Sequence, residues 1–144
     1  MFRGEKNLMK YVYDFDVDGG AASEIVLASK DGFNLLPNGA IVTDVFLKVV
    51  TACTSAGSAT VDVGDSDDTN GYMESIAVAT LADNAVIRAG EYAGAKIWDD
   101  TNDHKLARLC DSATERAFSI TIGTAALTAG KILFYVEYLV PGED

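Results

Sequence analysis

The sequence predicts an all-β protein: a single-domain antiparallel β-sandwich, jelly-roll-like, of roughly eight or nine strands. Three observations predict it. Apolar residues recur with a period of two in almost every readable segment, clusters of Gly, Pro, Asn and Asp punctuate those segments at short intervals, and no stretch sustains the 3.6-residue period of an amphipathic helix. A chain of 144 residues fits one domain and buries roughly two-thirds of its unfolded surface without a staple. Residues 1–144 are read as that domain, with 1–8 as an extended N-terminal arm. Alternation alone does not separate the jelly roll from other two-sheet topologies.

From Leu8 to Asp16 the residues Met9, Tyr11, Tyr13 and Phe15 share one face of a half-buried strand. Gly19-Gly20 breaks it, and Glu24 to Ala28 reads as a second strand closed by Asp31-Gly32. Leu36-Pro37-Asn38-Gly39 is a turn, because Pro37 presets its own φ and Asn38 or Gly39 accepts a left-handed backbone. Ile41 to Val50 follows with apolar side chains on both faces: Val45, Leu47 and Val49 on one, Val42, Phe46 and Val50 on the other. Ala59, Val61 and Val63 mark the next strand, and an acidic loop, residues 64–71, leaves it. Met73 to Leu81 carries both periods, since Met73, Ile76, Ala77 and Leu81 line a helical face; a short helix or irregular turn is expected there. Short strands are expected at 85–89, 95–98 and 105–110. Phe118, Ile120 and Ile122 alternate cleanly, Thr128-Ala129-Gly130 reads as a turn, and Lys131 to Val140 is a final strand with Leu133, Tyr135 and Leu139 opposite Ile132, Phe134 and Val136.

Composition excludes several functions. Twenty-two acidic against 11 basic side chains give a formal charge of −11, so phosphate repels the chain and nucleic acid or an anionic membrane is not an expected partner. The longest apolar run, Ile132 to Val136, is far below the ~20 residues that span a bilayer, and the opening residues Arg3, Glu5 and Lys6 do not lead into the apolar stretch of a signal peptide. Cys53 and Cys110 are too few for a disulfide framework and read as small buried side chains in a reducing cytoplasm.

Reactive constellations are sparse, and no enzyme is expected. His104 is the single histidine and lies in a polar loop with Asp99, Asp100, Asn102 and Asp103. Ser66 is no nucleophile elbow, because Asp68 stands where the second glycine belongs. Glycine spacing in residues 90–97 fails the phosphate-loop pattern. Asp62, Asp65, Asp67 and Asp68 place four carboxylates within seven residues, a set with the chemistry to coordinate calcium; the spacing fails the EF-hand, and a turn whose carboxylates accept nearby amides is the simpler reading. No cofactor and no metal are assigned. The apolar side chains Val42, Phe46, Val50, Leu133, Tyr135 and Leu139 remain outside a two-sheet core and are candidates for an oligomer interface.

The segments YDFDVDGGA (residues 13–21), LPNGAIVTDV (36–45), TACTSAGSATV (51–61), GDSD (64–67) and LTAGKILFYV (127–136) resemble small virion structural proteins of tailed bacteriophages. The likeness runs from about Lys10 to Val140 and consists of strand and turn motifs, which specify a fold better than a role. It implies a jelly-roll-like capsid decoration, or cement, protein: a homotrimer on the outer surface of the head shell, assembled in the host cytoplasm, whose partner is the major capsid protein. No catalytic or ligand residue transfers. Candidate shell contacts are Arg3, Lys6 and Lys10, a basic segment on an acidic body. Two other classes compete. A carbohydrate-binding or host-adhesin module would use Trp98, Tyr92 and the acidic loop, and a head-fibre or tail structural protein would share the fold.

Overall fold

The computed structural model describes residues 6–29, 35–92 and 107–141. Nine strands form two antiparallel sheets: β1 (Lys6–Asp14), β2 (Glu24–Val26), β3 (Ala40–Ser55), β4 (Thr60–Asp65), β5 (Met73–Ala77), β6 (Val86–Arg88), β7 (Arg108–Cys110), β8 (Phe118–Gly123) and β9 (Leu127–Leu139). One sheet has the order β1-β9-β3-β6, with β7 also paired to β3, and the other has the order β2-β8-β4-β5. Pairing is nested. The first strand lies on the last, the second on β8, the third on β6 and β7, and β4 on β5. A long hairpin rolled up on itself has this connectivity, so the expected jelly roll is the observed one.

Aromatic side chains join the two sheets. Tyr11 of β1 and Phe134 of β9 meet Phe118 of β8, with ring centroids 4.6 and 5.5 Å apart, and Tyr72 stacks on Phe118 from the other side at 6.2 Å. All four are fully buried, and each such ring pair contributes about 1 kcal/mol beyond the area it removes from water.

Where the structure departs from the alternation pattern, a local backbone feature is responsible. β1 ends two residues early because Asp14 caps a one-turn helix, α1 (Phe15–Asp18): its side chain accepts the Asp16 amide and its own amide donates to Asp18 Oδ2 at 2.8 Å. Residues 73–77 are a strand, not a helix, followed by a 3-10 turn at Val78–Thr80. Ser75 sits at φ 56° with its amide held by Asp62 Oδ1 at 2.7 Å, and this kink spaces the buried Met73 and Ile76 three apart, which imitates a helical stripe. Thr128, Ala129 and Gly130 belong to β9 and are not a turn; the turn lies just before, with Thr124 at φ 71°. Gly130 is needed for close approach, since a Cβ there would stand 2.5 Å from Cys53 Sγ on β3.

Lys6, Asn7 and Leu8, expected in an arm, begin β1 and pair with Leu139, Tyr138 and Glu137. Arg3, the Asp31-Gly32 turn, the expected strand at 95–98, Trp98 and His104 lie outside the described residues.

Candidate interaction surface

The face of the five-stranded sheet turned away from the core gathers most of the residues singled out from the sequence. Cross-strand register sets them in rows. Lys10, Tyr135, Phe46 and Arg88 form one row across β1, β9, β3 and β6, and Val12, Leu133, Lys48 and Val86 form the next. Phe46 and Tyr135 stack with centroids 5.1 Å apart and planes 18° from parallel. Leu139 continues the apolar surface toward Ile41 and Leu109, and Val50 lies further along β3, exposed.

Val42 is the exception. It is fully buried, because the register shift between Val42 and Asp44 inserts an extra residue in β3 against β9 and exchanges the two faces of the strand. Ala40 and Val42 therefore face the core on one side of the bulge, and Val45, Leu47 and Val49 on the other. Val42 is removed from the candidate interface. Three residues that alternation alone did not single out join it: Leu8, Val86 and Leu109, with 57, 62 and 52% of their surfaces exposed.

Charge is segregated on the same face. Five of the seven described Lys and Arg residues lie there, Lys6, Lys10, Lys48, Arg88 and Lys131, against three acids, Asp14, Asp44 and Glu137. The acids are engaged. Arg88 bonds Asp44 at 2.6 Å, Lys6 reaches Glu137 at 3.3 Å, Thr43 Oγ1 donates to Glu137 Oε1, and Asp14 caps α1. The Thr43 hydroxyl first, and Lys6 after it, hold the Glu137 carboxyl below its ordinary pKa. Lys10, Lys48 and Lys131 have no ion-pair partner among the described residues. Apart from Val42, and from Arg3 outside the described residues, the apolar and basic candidates lie on one face.

The most buried charges lie elsewhere and join the sheets at the far end of β4. Arg108 of β7 donates from Nε to Asp65 Oδ2 at 2.7 Å and from its second nitrogen to Asp65 Oδ1 and Asp67 Oδ2, both at 3.1 Å. Asp65 Oδ1 also accepts the amides of Asp67 and Asp68. Burial alone would lower the guanidinium pKa, but the bidentate carboxylate outweighs it and holds the group above its ordinary value. The acidic loop is thus a capped turn locked by an arginine. Asp62 and Asp65 are committed to amides and to Arg108, and no metal-holding cluster occurs among the described residues.

Burial pushes both thiols up to about 11, so each is protonated at neutral pH. Native protein at pH 7.5 (about one unit below a free thiol) is expected to resist a thiol-specific reagent at Cys53 and Cys110, and to label at both in denaturant; stoichiometric labelling of folded protein, read by mass spectrometry, would contradict the enclosure. An open cleft of about 320 Å³ lies between Asp14, Asp16, Thr51, Thr128 and Lys131. The Asp14 carboxylate there accepts the Asp16 amide.

No family model and no curated protein matches the chain. Solved structures do. The chain is similar to a chain of the cyanophage Pam1 capsid asymmetric unit, with a TM-score of 0.63 and 21% identity over 98% of this chain and 89% of that one. It is also similar to a chain of the acidic stable capsid of Helicobacter pylori bacteriophage KHP30, with a TM-score of 0.59 and 18% identity over 95% and 89%. At these identities the likeness establishes a shared fold across nearly the whole chain.

Proposed function

We propose that the protein is a non-enzymatic virion structural protein, a capsid decoration or cement protein that binds the outer surface of a phage head shell as a homotrimer and stabilises it. The observation that carries this reading is the outer sheet face, where half-buried Phe46, Leu133 and Tyr135 adjoin exposed Leu8, Val86 and Leu109 and lie among Lys10, Lys48 and Lys131, on a chain whose net charge is −11. An apolar sheet face left on the surface is a docking surface, while the acidic remainder keeps the unbound protein soluble and dispersed. Both structures named above are phage capsid structures, which supports placing the chain on the head rather than in a fibre or tail. The mechanism is mechanical. Each copy spans neighbouring shell subunits, so separating them under internal pressure also breaks the cement contacts, and many weak contacts sum.

The test mixes purified protein with expanded shells that lack it and with unexpanded precursors. Co-sedimentation with the expanded form and a higher temperature of shell rupture are the expected results; binding to neither form rejects the proposal. Light scattering of the free protein is expected to give three times the chain mass, and a monomer at all concentrations rejects the trimer.

A further inference from the structure

We propose that the outer face of the five-stranded sheet docks on a shell subunit, a protein surface with an apolar centre and a carboxylate rim, and not on a second copy of this chain; the proposal rests on the cement reading. A second copy would cover the face by a two-fold or a head-to-tail contact; charge disfavours the first, and the lack of an open apolar counterpart disfavours the second. In a two-fold contact the same face meets itself. Lys10 and Lys48 then approach other cations, because Asp44 and Glu137 are already held by Arg88, Lys6 and Thr43 within each copy, and like charges across an interface act as a repulsive element. In a head-to-tail contact the partner face would be the outer side of β2-β8-β4-β5. Register places Glu24, Thr121 and Asp62 in one row there and Val26, Ser119 and Gly64 in the next. Ser119 is fully buried there and the Thr121 hydroxyl is enclosed, so that side presents the Glu24 and Asp62 carboxylates but no open apolar counterpart to Phe46, Tyr135, Val86 and Leu109.

A partner of different sequence meets both requirements. Its apolar centre would cover the Phe46–Tyr135 stack and the exposed Val86 and Leu109, and its carboxylates would reach Lys10, in the row of that stack, and Lys48, in the row beside it. Charged rims of this kind set encounter rate and salt dependence, while the apolar centre sets residence time.

The test uses the wild type, the double variant Lys10→Glu/Lys48→Glu, and Val86→Lys. Each is examined by light scattering, thermal melting and co-sedimentation with expanded shells at about 50 and about 500 mM salt, conditions that differ strongly in screening. Both variants alter exposed side chains and are expected to melt like the wild type and keep its mass in solution, while losing at least about tenfold in shell affinity; wild-type binding is expected to weaken as salt rises. A variant that falls to a smaller oligomer would make the face an interface between copies and overturn the proposal. Full shell binding by both variants would overturn it as well, with the cement reading intact. Wild-type protein that binds no shell removes the cement reading itself, and the proposal with it.

Discussion

Arg108→Met is expected to destabilise the fold by about 3–5 kcal/mol, the range for stripping one partner from a buried ion pair. Arg108 and Asp65 have 7 and 1% of their surfaces exposed, so the carboxylate left behind has little access to water. Methionine keeps most of the side-chain volume, which separates loss of charge from loss of packing. For a domain of this size the change corresponds to a fall in melting temperature of roughly 10–15 °C. Asp65→Asn in the same chain is expected to recover part of the loss, since a neutral amide is less costly to bury and its oxygen still accepts the amides of Asp67 and Asp68. A single variant within 1 kcal/mol of wild type (about 2–4 °C) in urea denaturation would show that the pair does not hold the two sheets together.

Gly64→Ala is expected to cost about 3 kcal/mol or more. Gly64 lies on β4 beneath the acidic loop, and a Cβ there would overlap the Asp68 carbonyl and the Thr69 backbone. Backbone cannot swing aside as the end of a flexible side chain does. The loop must lift, and with it the amides of Asp67 and Asp68 leave the Asp65 carboxylate. Gly39→Ala is the matched control. Gly39 has φ +80° but open space around its absent Cβ, so conformational strain alone acts there and about 1 kcal/mol is expected. Equal losses at the two positions would refute the steric account; faster hydrogen exchange at the Asp67 and Asp68 amides in Gly64→Ala would support it.

The fold was legible because alternation survives in Tyr11 and Tyr13, in Phe118, Ile120 and Ile122, and in Ile132 through Tyr138, and those segments supply three of the four core rings that join the sheets, Tyr11, Phe118 and Phe134. Two of its failures share one cause: a single residue that resets the alternation leaves the composition unchanged, as at the bulge between Val42 and Asp44 and at the left-handed Ser75. Gly130 keeps the alternation, and reads as a turn only because a glycine needed for close approach has the same sequence signal. The interaction surface was half legible. Phe46, Tyr135, Leu133 and Leu139 are legible from their faces, but Lys6 reads as part of an arm and Lys10 is grouped with it as a basic segment, so their place on the same sheet face is not legible. The Arg108–Asp65 pair was hidden by its separation along the chain. One signal was present: Cys110 two residues after Arg108 shares its strand face, and a buried thiol there implies an arginine that also points inward.

The nested strand order governs how the molecule assembles in time. Val63 lies opposite Met73 across one loop, whereas Lys6 lies opposite Leu139; the innermost hairpin closes cheaply and the outermost ladder only once the sheet's last strand has been made. Such high contact order belongs to domains that fold in milliseconds to seconds rather than microseconds. Until β9 arrives between them, the facing flanks of β1 and β3 are open templates for a foreign strand, so crowding during synthesis threatens this protein most at its final step.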